Sequence, residues 1–147
     1  MVLLLQNKCK NLSYCPERIA QGRSLKELPK LAQIISGKNN KAKIESAKIF
    51  KKISKKTIFT EIEEAELIKL FSNAYRYINF SISNQFYMMS KKRNLDFIKM
   101  RNIMRDNYDR NLSIPLAGFT AGPCLLKDTM QLSSFYKHYF SLGKSAM

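Results

Sequence analysis

The sequence is poor in residues that interrupt helices, because its 147 residues include only 5 glycines and 4 prolines. Long helical runs are therefore permitted. The 3 cysteines are an odd number, which argues against a disulfide framework, and the apolar start MVLLLQ is too short for a signal peptide. We therefore expect a reducing, cytoplasmic compartment. No run of about 18 apolar residues occurs, so we expect no membrane span.

Two kinds of binding site are also missing from the sequence. His138 is the single histidine, and Cys9 and Cys15 are six positions apart, so four metal ligands at a sensible spacing are not available. We predict no metal site. The sequence has no G-x-G-x-x-G and no P-loop, and therefore no recognisable cradle for a dinucleotide or a triphosphate.

The composition is that of a globular protein with a strong positive charge. Hydrophobic residues make up 45% of the chain and the formal net charge is +15. Such a charge attracts phosphates on nucleic acid, on an anionic membrane or on a small molecule. Codon bias toward lysine, asparagine and isoleucine is an equal alternative. Much of the charge lies in residues 38–56, which is typical of the solvent-exposed face of one helix and its flanks. Because the lysines are scattered and not placed on one recognition element, we do not expect nucleic acid as a partner, although a basic helical nucleic-acid-binding protein stays as an alternative.

Hydrophobic patterning predicts a mainly α fold with a few short strands. The predicted strands are short extended pieces within residues 1–16, a buried strand at 31–36 and a strand at 57–60. The predicted helices cover residues 40–53, 61–94, 95–105 and 127–147. The first of these has an apolar side that includes Ile44 and Ile49. The last is expected to turn Met130, Phe135, Tyr139 and Leu142 inward, and it lacks a clear cap at its end, which suggests a continuation.

The segment 61–94 is the dominant feature, since it contains no glycine or proline. Its acidic start suits the positive end of a helix dipole. Apolar residues then occur nearly all round, so the helix should be buried on most sides. In a chain this short, we expect a second subunit to supply part of the cover.

Cys124 is the first candidate for chemistry. It lies in AGFTAGPCLLKD at the predicted start of a helix, where the helix N-terminus and Lys127 favour the thiolate, the form that attacks carbonyl carbon. Asp128 follows one helical turn later and can orient water or position Lys69. The alternatives are a buried structural cysteine and an ordinary helix-start carboxylate.

Two further pairs of polar residues are candidates. Lys69 and Asn73 are four positions apart in AELIKLFSNAY, so they share a helix face and can stabilise an oxyanion. The alternative is a lysine that extends to water and an asparagine on a partly exposed stripe. Glu17 and Arg18 follow Pro16 in YCPERIAQG. The Glu17 carboxylate is a candidate general base or a cap for the next turn.

Three motifs in one order resemble the UDP-glucose/GDP-mannose dehydrogenase family. CPERIAQG resembles the segment after the sixth strand of the family's NAD domain. EEAELIKLFSNAYRYINFSISNQF resembles the start of its central helix, and AGFTAGPCLLKD resembles its nucleophile loop. The resemblance covers nearly all of residues 14–147.

The resemblance implies an NAD-dependent enzyme that oxidises the C6 hydroxymethyl group of a nucleotide sugar to a carboxylate. Cys124 would attack the intermediate aldehyde, and a thiohemiacetal and then a thioester would follow. Lys69 and Asn73 would hold the oxyanion, Asp128 would hold Lys69 and a water, and Glu17 would be the base in hydrolysis. The substrate-binding residues implied by the resemblance are Arg18, Arg110, Gly118, Gly122 and Lys127.

The resemblance also implies a domain organisation. Residues 1–60 would be an incomplete C-terminal part of a Rossmann-like NAD domain. Residues 61–147 would be a helical central domain with a nucleophile loop at 115–128 and a homodimer contact along the long helix. The family loop has two adjacent glycines where this chain has Ala121 and Gly122 followed by Pro123. Without the glycine fingerprint and a nucleotide-binding C-terminal domain, we expect negligible activity, so a dimerisation module or an inactive truncated product stays as an alternative.

Overall fold

The computed structural model describes residues 8–20, 22–120 and 123–147. The chain divides into two compact units, Met1–Lys69 and Leu70–Met147. Most of the described residues are helical and the strands are short, so the predicted mainly α fold class is confirmed. The strands are β1 (Ser13–Tyr14), β2 (Gln33–Gly37) and β3 (Thr57–Thr60). The helices are α1 (Ser24–Glu27), α2 (Asn40–Phe50), α3 (Ile62–Lys92), α4 (Phe97–Arg105), α5 (Cys124–Phe135) and α6 (Ser141–Ala146), with a 3₁₀ turn at Asp109–Asn111.

The first unit is built on a three-stranded sheet in the order β1-β2-β3. Every residue of the central strand β2 is buried, as its apolar sequence predicts. β1 pairs with it antiparallel and β3 pairs with it parallel. The parallel pairing requires a crossover, which α2 supplies. The Ser36 hydroxyl donates to the Tyr14 carbonyl oxygen at 2.6 Å, which ties β2 to β1. The predicted extended pieces are seen as β1 alone, and residues 1–7 lie outside the described residues.

Helix α2 begins with a side-chain cap. The side-chain oxygen Oδ1 of Asn39 accepts a hydrogen bond from the Ala42 N–H at 2.8 Å, which satisfies one N–H group of the first turn. The helix buries Ala42 and Ala47. Ile44 and Ile49 are 53% and 61% exposed, so the apolar side predicted from the sequence is only partly the buried side.

The long helix predicted over residues 61–94 is confirmed as α3. Its 31 residues span about 46 Å at 1.5 Å per residue. The chain then turns at Asn94, which has a positive φ of 54°, and the Asp96 carboxylate caps α4 by accepting from the N–H groups of Ile98 and Lys99. Several apolar side chains of α3 are exposed, among them Phe71, Tyr75, Met88 and Met89.

The prediction of a single helix over residues 127–147 is wrong. The segment forms α5 and α6, which are separated by a turn in which Phe140 N–H bonds to the Tyr136 carbonyl oxygen. α5 also starts three residues earlier, and its buried face follows a helical spacing through Leu125, Asp128, Thr129 and Leu132. The four side chains expected to turn inward are exposed instead: Met130, Phe135, Tyr139 and Leu142. Met130 and Phe135 lie on α5 outside its buried face, Tyr139 lies in the turn and Leu142 lies on α6.

In the described part of the chain, no helix combines the length and the apolar character that crossing a bilayer requires.

Candidate active site

Cys124 is the first residue of α5 and its side chain is exposed. Pro123 occupies the position before it and contributes no side-chain cap. The first backbone N–H groups of a helix have no intrahelical acceptor, and the positive end of the helix dipole lies at the same terminus. Cys124 is therefore part of the helix end that carries these features.

Asp128 follows on the next turn of α5 and is 4% exposed. Its Oδ2 accepts from Asn73 Nδ2 at 2.6 Å, and its Oδ1 lies 3.5 Å from the exposed Lys127 Nζ. Hydrogen bonds to an ionised group are the strong ones, and a buried carboxylate requires them. Within the second unit, this bond joins α3 to the helix that carries Cys124. The resemblance had assigned Asp128 to Lys69 and a water, and it gave no indication of the bond to Asn73.

In the first unit, Lys69 and Glu17 are in contact. Lys69 Nζ donates to the Glu17 backbone carbonyl oxygen at 2.9 Å. The exposed Glu17 carboxylate accepts from the Ile19 N–H, which is the turn-capping arrangement that the sequence left open. The guanidinium of Arg18 donates to the Ala32 carbonyl oxygen. Lys69 and Asn73 lie four residues apart on α3, as predicted.

The remaining predicted substrate-binding residues lie in the second unit or outside the described residues. Arg110 is exposed on the 3₁₀ turn. Gly118 is exposed, with a φ of +155°. Gly122 lies outside the described residues. The residue that sequence reasoning missed is Asn84, whose side chain bonds to the Gly118 backbone. The available signal was its position eleven residues after Asn73, which puts both asparagines on one face of a helix.

No group of three or more histidine, cysteine, aspartate or glutamate side chains that could hold a metal ion occurs among the residues with described coordinates.

Comparison with known proteins identifies one family. The family described as "UDP-glucose/GDP-mannose dehydrogenase family, central domain" matches residues 63–144. A UDP-N-acetyl-D-mannosamine dehydrogenase of Pyrococcus horikoshii is 30% identical over 136 residues, which are 92% of this chain and 32% of that protein. A protein of the same name from Methanococcus maripaludis is 38% identical over 81 residues, 54% of this chain and 19% of that protein.

Solved structures agree with the sequence comparison. The structure of the UDP-D-ManNAc dehydrogenase from Pyrococcus horikoshii matches with a TM-score of 0.82 and 29% identity, over 91% of this chain and 32% of that one. A UDP-glucose dehydrogenase from Pyrobaculum islandicum matches with a TM-score of 0.78 at 18% identity, over the same shares of the two chains, and so shows the fold alone. The chain spans about a third of the length of these relatives. On these grounds, the chain belongs to the UDP-glucose/GDP-mannose dehydrogenase family.

Proposed function

We propose that this chain is the catalytic-cysteine segment of an NAD-dependent nucleotide-sugar dehydrogenase that oxidises the C6 hydroxymethyl group of the sugar to a carboxylate. The observation that carries the proposal is the arrangement on α5. Cys124 opens the helix, and one turn later the buried Asp128 carboxylate is bonded to Asn73. A nucleophile at a helix N-terminus, one turn before a carboxylate that holds an amide, is suited to attack on a carbonyl group.

The Asn73 carboxamide has a second N–H in addition to the one that Asp128 accepts. When the Cys124 sulfur adds to the C6 aldehyde, a C–S bond forms and the carbonyl oxygen takes the negative charge. We propose that the second N–H of Asn73 and the Lys69 ammonium donate to this oxygen. Because Asp128 accepts only from the amide nitrogen, it fixes which end of the carboxamide faces the substrate.

NAD, when bound, supplies the two-electron acceptor for each of the two oxidations. The sequence carries no G-x-G-x-x-G, so its residues do not fit a complete dinucleotide cradle, and we derive no NAD contact from them. In the hydrolysis that ends the reaction, water adds to the thioester carbon and the C–S bond breaks. Cys124 leaves as a thiolate, and we propose Glu17 as the base that takes the proton of the water.

We infer a UDP-linked sugar as substrate, with UDP-N-acetyl-D-mannosamine as the first candidate, because that substrate stands in the names of the relatives at 30% and 38% identity. We propose that Arg18, Arg110, Gly118, Gly122 and Lys127 contact it. Residues 1–60 would complete an NAD domain, and residues 61–147 would form the central domain of a homodimer. The 147 residues alone should form no measurable NADH, since hydride transfer needs NAD held against the sugar.

A chimera tests the proposal. Residues 63–144 replace the matching segment of the Pyrococcus horikoshii dehydrogenase, and NADH formation is followed at 340 nm with UDP-N-acetyl-D-mannosamine. We expect activity in the chimera, and a loss on the order of a thousandfold in Cys124→Ser, because a hydroxyl is a far weaker nucleophile than a thiolate. Ser134→Ala, on the exposed side of the same helix, is the matched control. A folded chimera in which Cys124→Ser keeps full activity would contradict the proposal.

A further inference from the structure

Asn84, on α3, makes two hydrogen bonds to the backbone of a single distant residue. Its Nδ2 donates to the Gly118 carbonyl oxygen at 3.1 Å, and its Oδ1 accepts from the Gly118 N–H at 2.7 Å. The two residues are 34 positions apart in the sequence and both lie in the second unit. A carboxamide that satisfies both backbone groups of one residue holds that residue in position and in orientation. We call this pair of bonds the Asn84 clamp.

The residue held by the clamp has a backbone conformation that needs glycine. Gly118 has a φ of +155°, and a Cβ added there would meet no atom within 4 Å. A side chain at this position would therefore strain the backbone conformation, although there is space for it. The open surroundings also mean that packing around the Gly118 Cα does little to fix the loop. The described interaction that holds the loop at Gly118 is therefore the Asn84 clamp.

The position of Asn84 relates the clamp to the candidate active site. Asn84 follows Asn73 by eleven residues, which is three helical turns, so both side chains leave α3 on the same face about 16 Å apart. Asn73 holds Asp128, and Asn84 holds Gly118. The two asparagines thus hold Gly118 and Asp128, and Cys124 lies between these two residues in the sequence.

We propose that Asn84 is a positioning residue for the Cys124 nucleophile, acting through the Gly118 backbone. This inference rests on the proposed function, in which Cys124 attacks the sugar aldehyde. The Arg101 side chain holds the same loop at Ile114, and among the described hydrogen bonds the clamp holds the stretch between Ile114 and α5. Without the clamp, the first turn of α5 can fray. A frayed turn no longer has the aligned N–H groups that make a cysteine at a helix N-terminus reactive.

The test uses the full chain and needs neither NAD nor sugar. Hydrogen exchange of the Gly118 amide and the rate of Cys124 alkylation by iodoacetamide are measured in Asn84→Ala, Asn84→Asp and the control Asn79→Ala. Asn79 lies on the same helix and bonds to the Tyr75 carbonyl oxygen one turn away. In Asn84→Ala we expect Gly118 exchange to rise roughly tenfold, as for the loss of one hydrogen bond, and Cys124 alkylation to slow about twofold or more. Asn84→Asp keeps the acceptor and should restore most of the Gly118 protection.

The proposal is overturned if Asn84→Ala leaves Gly118 exchange unchanged, if Asn79→Ala has the same effects, or if Gly118 is released while Cys124 alkylation stays constant. Thermal unfolding of each variant separates these results from a general loss of structure. If Asn84→Ala does not fold, Asn84→Leu decides, since its side chain has nearly the shape of asparagine and makes neither hydrogen bond to Gly118. A wild-type Cys124 that reacts no faster than Cys9 would count against the proposed nucleophile, whereas Gly118 exchange tests the clamp by itself.

Discussion

At the scale of single residues, the bond between Asn73 and Asp128 carries the most weight. The Asp128 carboxylate is 4% exposed, and Asn73 donates to it at 2.6 Å. Lys127, its other described partner, is an exposed side chain at 3.5 Å and is a weak substitute. Removing the amide therefore leaves a buried charge without its main donor.

We predict that Asn73→Ala lowers the free energy of unfolding by about 1.5–3 kcal/mol, the range for a hydrogen bond to a charged group. Asn79→Ala, which removes a bond within a single helix, should cost less than about 1 kcal/mol. Urea denaturation of the two variants and the wild type measures both values. Equal losses in the two variants would show that the contact with Asp128 adds nothing.

The sequence could place these residues on elements, but it could not pair them. Cys124 and Asp128 were predicted at the start of one helix, and Lys69 and Asn73 on one face of another, because local spacing determines both. The Asn73–Asp128 bond joins positions 55 apart, and the Asn84–Gly118 bonds join positions 34 apart. Such pairs depend on how α3 and α5 pack and on the conformation of a loop, neither of which a hydrophobic pattern specifies.

At the scale of elements, helix ends explain which boundaries could be predicted. The acidic start of α3 was expected to suit the helix dipole, and the structure adds specific bonds. The Glu64 carboxylate accepts from the Thr60 hydroxyl and from the Glu61 N–H. The hydrogen bond from Thr60, followed by the bond from the Glu61 backbone, lowers the pKa of Glu64 below its usual value. The ionised carboxylate therefore caps α3.

This shift predicts a pH dependence. A carboxyl group whose pKa is lower in the folded state stabilises the fold above its unfolded pKa, and the contribution is lost as the pH falls through the folded pKa. Glu64→Gln should therefore have a lower Tm than the wild type at pH 7, and the difference should be smaller at about pH 3, below the ordinary pKa of a glutamate. Glu63→Gln is the control in the same turn and should show a smaller difference at pH 7. A Glu64→Gln difference that is the same at both pH values would refute the capping role of the charge.

The misplaced final helix shows where pattern reasoning fails. The stretch from residue 127 onward contains enough apolar residues to support one helix, and Gly143 is the one glycine or proline within it. The structure ends α5 at Phe135 instead, and it buries Gly143 in α6, where an added Cβ would lie 2.6 Å from the Ser133 hydroxyl. Gly143 serves close packing, and the break near Tyr136 carries no glycine or proline to announce it.

At the scale of the whole molecule, exposed apolar surface and net charge act against each other. Along α3 and α4, Phe71, Tyr75, Met89 and Ile103 are each more than half exposed. Burying such side chains favours association of two copies, whereas a charge of +15 on each copy opposes it. Salt screens the repulsion between the positive charges but does not weaken the burial of apolar side chains, so changing the salt concentration separates the two effects.

We predict a homodimer whose stability increases with salt. Analytical ultracentrifugation at low and high NaCl should show a dimer fraction that rises, and Met89→Lys should reduce it. Met147→Lys, a half-exposed methionine outside α3 and α4, is the control. The alternative of a nucleic-acid-binding protein predicts instead that the chain binds DNA or RNA at low salt and that this affinity falls as salt increases, since phosphate contacts weaken. A chain that stays monomeric at all salt concentrations would contradict the predicted dimer.

Activation of the Cys124 thiol, which the proposed function requires, can be tested directly on the three cysteines of the folded chain. Iodoacetamide is added near pH 7.5, and the alkylation rate of each cysteine is followed by peptide mass spectrometry. Burial raises the pKa of Cys15 and only part of this is offset by its hydrogen bond to the Ser36 backbone, so Cys15 should react slowest. Cys9 and Cys124 are both exposed, so access alone does not separate them. We predict that Cys124 reacts several times faster than Cys9, about threefold or more, because it begins a helix; equal rates at these two cysteines would contradict the account.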